Sequence, residues 1–302
     1  MLRKAVESYV AVRRAVGFAF KSEGTQLKSF ARYSDARDET YLRAPIAIEW
    51  AEQAHSRYTR ARRLGIVIRF ARHIHAEDPR HEIPLTVFGA EKRTRPTPYI
   101  MTENQIRQLI RVASCAGYRT LRRTTYSTLF SLLSCTGLRL AEAIGLRLKD
   151  ITPDGLVIRE TKFRKSRLVP LHETARVGLE RYLEQRLPYA PGEDHVFVSL
   201  RRKPLLHVDV ERAFRLAARA IGLQVAPGRA LPTPHSLRHA FAVRALQTCP
   251  DGRDAITQHM VALSTYLGHG RVLDTYWYLE AVPELMTDIA DRCEQFMRRA
   301  KP

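Results

Sequence analysis

The sequence predicts a mainly α protein with a small antiparallel β-sheet, divided into two domains. Three observations carry that expectation. Apolar residues recur at helical spacing from residue 2 to about residue 88, without strand-like alternation. A stretch with three prolines and no helical period, HEIPLTVFGAEKRTRPTPYI, then interrupts the pattern. Beyond it helical patterns resume around a single pair of β-rich arms, GLVIRETKFRKSRLVPL, joined by a basic tip. A chain of 302 residues is long enough for two domains with their own cores.

The first domain, residues 1–88, contains four helices: LRKAVESYVAVRRAVGF, TQLKSFARYSDAR, APIAIEWAEQAHS and TRARRLGIVIRFARHIHAED. Residues 89–97 form the linker, and residues 98–302 the second domain. That domain starts with TENQIRQLI, where Thr102 and Gln105 have capping-box spacing. TLFSLLSCTGLRLAEAIGLRLKDI gives an apolar helix, a Thr-Gly break and another helix. The β arms run from Leu156 to Thr161 and from Arg167 to Leu171. Helices return at ETARVGLERYLEQR, VDVERAFRLAARAIG, HSLRHAFAVRALQ and DAITQHMVALSTYLG, and PELMTDIADRCEQFMRRA reads as a last amphipathic helix.

Composition narrows the function. Apolar residues at 45% and charged residues at 27% are ordinary for a globular protein, but the net charge of +19 is not. An excess of that size points to a polyanionic partner, with nucleic acid the default and a merely basic globular protein the alternative. A membrane partner is not expected: no basic helix has a clean apolar face, and no run approaches spanning length. Cys115, Cys135, Cys249 and Cys293 stand singly, which argues against a zinc cluster or a disulfide framework and fits reduced thiols in the cytoplasm. The N-terminal stretch has charges inside its apolar run, unlike a signal peptide.

The stretch HSLRHAFAVRAL, residues 235–246, places His235 and His239 one helical turn apart, with Arg238 on nearly the same side. Three basic groups crowded at one helix start require a buried acid, a metal or an anion brought from outside. Three other stretches are also rich in cationic or reactive groups beside glycines or at a turn: TGLRLAEAIGL, ETKFRKSRLVPL and YLGHGRVLDTYWYL.

Together and in this order, the four stretches resemble the signature of the tyrosine recombinases, the phage-integrase type of site-specific recombinase. The likeness in motifs covers the second domain from about residue 97. The first domain suits the family's helical core-binding domain as a fold only. The resemblance implies Arg139, Lys162, His235, Arg238, His269 and Tyr278 as catalytic residues and Glu142 as a supporting acid. It also implies a 3′-phosphotyrosine intermediate, no cofactor or metal, a double-stranded DNA partner with a specific site, and a tetramer on DNA that exchanges C-terminal tails. DTYWYLEAVPELM further resembles transposon-encoded integrases, for which companion recombinases are a possible partner.

The same residues make chemical sense on their own. Breaking a phosphodiester builds negative charge on the non-bridging oxygens, which two arginines can clamp with forked donors. A tyrosine forms a covalent intermediate that conserves the bond for rejoining. A lysine can protonate the departing sugar oxygen. On this reading the counter-ion missing from HSLRH is the scissile phosphate, faced by His235 and Arg238, and His239 is left to the core or to support the site from behind. Lys165 competes with Lys162, which is preferred because it ends the first β arm. Tyr276 and Tyr278 lie about 200° apart on a helix, so only one can face the site; Tyr276 and Trp277 are expected to pack.

Three rival readings differ in what they require. A zinc hydrolase would need a glutamate where Ser236 stands, and a third ligand. A non-catalytic DNA-binding relative would be expected to lack a reactive group. A relaxing topoisomerase shares the chemistry but needs no partner protomer.

Overall fold

The structure is a computed structural model that describes residues 2–89, 97–115, 120–159, 166–223, 231–248, 253–269 and 271–281. The chain divides into two compact units, Met1–Arg95 and Pro96–Pro302. The described residues are mostly helical with a three-stranded antiparallel sheet, the expected fold class.

The first unit holds α1 (Leu2–Ala15), α2 (Lys21–Asp35), α3 (Ala44–Glu52) and α4 (Arg57–Glu77). Their apolar stripes close one core, with Leu27, Phe30, Trp50, Val67 and Phe70 buried at its centre. Ser56 caps α4 by accepting from the Thr59 amide at 3.2 Å. The start of the proline-rich stretch is not free: Glu82 accepts from the Ala44 amide at 2.8 Å and from Arg43 at 2.9 Å, sealing the N-terminus of α3.

The second unit begins with α5 (Glu103–Cys115). Its capping box is reciprocal: the Gln105 amide donates to Thr102 Oγ1 at 3.3 Å and the Thr102 amide to Gln105 Oε1 at 3.0 Å. α6 (Thr120–Thr136) carries Leu129, Phe130, Leu132 and Leu133 into the core. It stops at Gly137, whose φ of +61° is left-handed and whose added Cβ would lie 2.5 Å from the Phe241 ring. α7 (Leu140–Ile144) and a 3₁₀ turn (Leu148–Asp150) lead to β1 (Ile151–Thr152), β2 (Gly155–Ile158) and β3 (Arg167–Val169), in that spatial order. Ile158 pairs with Arg167, which puts Arg167 at the start of β3 beside the hairpin tip. β1 is too short to leave an alternating pattern, and only the two longer arms are readable in the sequence.

Five further helices follow: α8 (Glu173–Tyr189), α9 (His207–Ala220), α10 (Pro234–Gln247), α11 (Arg253–Leu267) and α12 (Leu273–Ala281). α10 is buried over most of its surface and packs on α6. Lys162, Lys165, Cys249, Cys293 and the stretch PELMTDIADRCEQFMRRA lie outside the described residues. Among the described residues no helix is long and apolar enough to cross a membrane.

Candidate active site

The site is built around the turn that ends α11. Arg139 is the residue just before α7, where extended backbone lets its amide donate to Glu142 Oε2 at 2.9 Å. Its guanidinium reaches Glu142 Oε1 at 2.8 Å and the Gly268 carbonyl at 2.7 Å. Arg238 comes from the first turns of α10 and is 1% exposed. It donates to the Gly137 carbonyl at 2.6 Å and the Leu267 carbonyl at 2.7 Å. A third arginine joins them from β3: Arg167 donates to the Tyr266 carbonyl at 2.8 Å and forks onto both oxygens of Glu142, at 3.1 and 2.8 Å.

Three consecutive carbonyls, of Tyr266, Leu267 and Gly268, thus each receive an arginine from a different element. The first two belong to the C-terminal end of α11 and the third to the residue that follows it, where the helix dipole is negative. This settles the compensation problem for Arg238: in the free protein its charge is met by backbone carbonyls. Burial, and then the nearby Arg139 charge, still push the Arg238 guanidinium down to about 10. Burial alone would raise Glu142, but hydrogen bonds from Arg167 and Arg139 outweigh it and hold the carboxyl below its ordinary value.

The geometry at Gly268 is tight. Its φ is +65°, and an added Cβ would lie 2.8 Å from Arg167 Nη1 and 3.4 Å from Arg139 Nη1. Glycine therefore serves both the left-handed turn and the close approach of the arginines. The next residue, His269, has its Nδ1 2.7 Å from Thr275 Oγ1, which ties it to the first turn of α12. Its ring lies near-parallel to that of Tyr278, with centroids 6.3 Å apart.

Tyr278 is 2% exposed, whereas Tyr276 is 44% exposed. The helical argument separates the two as expected, but the packing expected of Tyr276 is not there; Trp277 packs, against His239. The Tyr278 hydroxyl is 3.0 Å from His239 Nδ1. The His239 ring meets the His235 ring edge-on, with centroids 4.5 Å apart. His235 and Arg238 sit at different depths, His235 exposed and Arg238 buried. The structure thus brings Arg139, Glu142, Arg238, His269 and Tyr278 around one turn and places His235 at its rim through His239. Lys162 lies beyond the described residues.

Two residues of this cluster escape the sequence reading. Arg167 is visible there only as part of a β arm, and His239 is left between two roles. No group of three or more His, Cys, Asp or Glu side chains that could hold a metal occurs among the described residues.

The model of the phage integrase family matches residues 100–283, more than half the chain. The chain belongs to the phage integrase family. A putative integrase/recombinase of Sinorhizobium fredii is 36% identical to this family member over 97% of each chain. Tyrosine recombinase XerD of Caulobacter vibrioides is 28% identical, covering 76% of this chain and 73% of its own length. Among solved structures, a lambda integrase tetramer bound to a Holliday junction matches the fold with a TM-score of 0.65 at 16% identity, covering 92% of this chain and 76% of that one. The protein is a tyrosine recombinase, an enzyme of site-specific recombination that breaks and rejoins DNA.

Proposed function

We propose that this tyrosine recombinase cuts DNA with Tyr278 as the nucleophile, leaving a 3′-phosphotyrosine link and a free 5′ hydroxyl. Arg139 and Arg238 hold the non-bridging oxygens of the scissile phosphate. Lys162 protonates the departing 5′ oxygen, His235 and His269 assist at the phosphate, and Glu142 keeps Arg139 in place. The observation that carries this reading is the shared turn. Arg139 and Arg238 are anchored on adjacent carbonyls, Gly268 and Leu267, and the next residue, His269, lies against the Tyr278 ring. Donors fixed in this way before substrate arrives need no reorganisation when charge develops, and each can be worth about 3 to 4 kcal/mol in a dry site.

Residues 1–88 act as a second DNA-binding domain that closes on the duplex through the linker at 89–97, and the enzyme works in the cytoplasm as a tetramer on DNA, alone or with companion recombinases. The net charge of +19 supports the DNA contact. The tetramer is the state named for the lambda integrase structure. Tails from residue 284 onward dock on neighbouring protomers.

A nicked suicide substrate, whose short fragment diffuses away, tests the core of the reading. Tyr278→Phe should bind DNA normally and give no covalent band, while Tyr276→Phe should still give one. A covalent complex that survives in Tyr278→Phe and vanishes in Tyr276→Phe would move the nucleophile. Loss of the wild-type reaction with a chelator would overturn the metal-free chemistry.

A further inference from the structure

The Tyr278 phenol must lose its proton to attack phosphorus, and it is 2% exposed, so bulk water is not at hand to take that proton. His239 Nδ1 is 3.0 Å from the hydroxyl, within the range for proton transfer along a hydrogen bond. His269 meets Tyr278 ring to ring, with planes 18° apart, and its Nδ1 is engaged with Thr275. His239 is itself buried, at 8% exposure, and braced by His235 and Trp277, with ring centroids at 4.5 and 5.6 Å. Its place on α10 directly follows Arg238, so one helix presents both a phosphate-binding cation and a group at the nucleophile.

We propose that His239 is the proton acceptor for the Tyr278 phenol during strand cleavage, an inference that rests on Tyr278 being the nucleophile. As the Oη–H bond breaks, its electron pair forms the Oη–P bond, and the proton passes to the lone pair of His239 Nδ1. The P–O5′ bond breaks, and the departing oxygen takes a proton from Lys162. In rejoining, the 5′ hydroxyl attacks phosphorus and returns its proton to the neutral Lys162 amine, the Oη–P bond breaks, and the departing Tyr278 oxygen recovers its proton from His239. Acceptance at Nδ1 requires the neutral imidazole to carry its hydrogen on Nε2. The imidazolium that forms meets the His235 ring edge, and the phosphate gathered by the arginines supplies the opposing negative charge.

The test compares cleavage of the suicide substrate by wild type and His239→Asn, each with tyrosine or 3-fluorotyrosine at position 278. Asparagine can keep a hydrogen bond at the Nδ1 position but cannot hold the proton. DNA affinity should be unchanged, and cleavage should fall about 100-fold, the usual worth of a general base. The fall should shrink with 3-fluorotyrosine, because a more acidic phenol depends less on a base. Cleavage at the wild-type rate, or an equal fall with both tyrosines, would overturn the role. Should His239→Asn lose DNA affinity, the same comparison made on His239→Gln decides. A covalent band from Tyr278→Phe would instead show that the nucleophile itself is misplaced, so the two failures are told apart.

Discussion

Arg167 and Glu142 face each other as a fork, both guanidinium Nη atoms on both carboxylate oxygens, and Arg167 uses its remaining Nε on the carbonyl of Tyr266. One half-buried side chain thereby joins the start of β3 to α7, which carries Glu142, and to the end of α11. Arg167 shares Glu142 with Arg139, and it shares the turn at the end of α11 with both Arg139 and Arg238.

Replacing Arg167 with lysine keeps the charge but removes the fork. Cleavage should fall by about 100-fold, the order of effect of a misplacement near 1 Å in the clamp. The same variant should lose little on a substrate whose scissile phosphate is replaced by an uncharged methylphosphonate, since the clamp then has no oxyanion charge to meet. Parallel rates on the two substrates check this; an equal loss on both would mean that Arg167 only supports the fold.

Glu142 should report on pH. Its folded-state pKa is depressed, so its contribution to stability is present above the ordinary value of 4.5 and is lost as pH falls through the lower folded value. Glu142→Gln leaves Arg139 and Arg167 without their acid and should destabilise the protein by about 3 kcal/mol near neutrality. Urea unfolding from neutral pH down to about pH 3.5 should show wild type and variant converging only below the ordinary carboxylate range. A gap that stays constant with pH would contradict the assignment.

Two glycines should behave in opposite ways. Gly268→Ala forces a left-handed alanine, at a cost of about 1 to 2 kcal/mol, and drives its Cβ into Arg167, so cleavage should fall further than stability does. Gly178 lies inside α8 with nothing within 4 Å of an added Cβ. Gly178→Ala should raise stability by about 0.5 to 1 kcal/mol and leave cleavage unchanged. Thermal unfolding and suicide-substrate rates on both variants check the contrast.

Thr275 is fully buried, and its hydroxyl holds His269. Thr275→Val keeps the shape and removes that hydrogen bond, so His269 loses its fixed orientation. Cleavage should drop about tenfold or more, as when the orienting partner of a working histidine is removed. DNA affinity should be unchanged, and Thr275→Ser should restore the rate. An intact rate in Thr275→Val would show that His269 needs no such support.

Local patterns were the legible part of this protein. The helices can be read because apolar spacing is a property of neighbouring residues, and the α5 cap because Thr102 and Gln105 are three apart. The cationic stretches can be read because their glycines and reactive groups lie within a few positions of each other. Arg167 was hidden because its partners are 25 and 99 residues away and nothing in RLVPL points to them. His239 was half visible: helix geometry put it beside His235, but its partner Tyr278 is 39 residues further on. Even the answer to the crowding of HSLRH depended on distance, since the groups that meet Arg238 are carbonyls, which leave no mark in the identity of the residues that carry them.

The turn that ends α11 also sets a time. Arg139 waits for a partner 129 residues downstream, Arg167 for one 99 residues downstream and Arg238 for one 29 downstream. A chain emerging from the ribosome therefore exposes its arginines long before the carbonyls that gather them exist, and contacts this distant in sequence close late in folding. A nascent or truncated chain that stops short of residue 266 has the three arginines and lacks the carbonyls that hold them in one frame. Strand-breaking capacity is thus withheld until the domain is almost fully made.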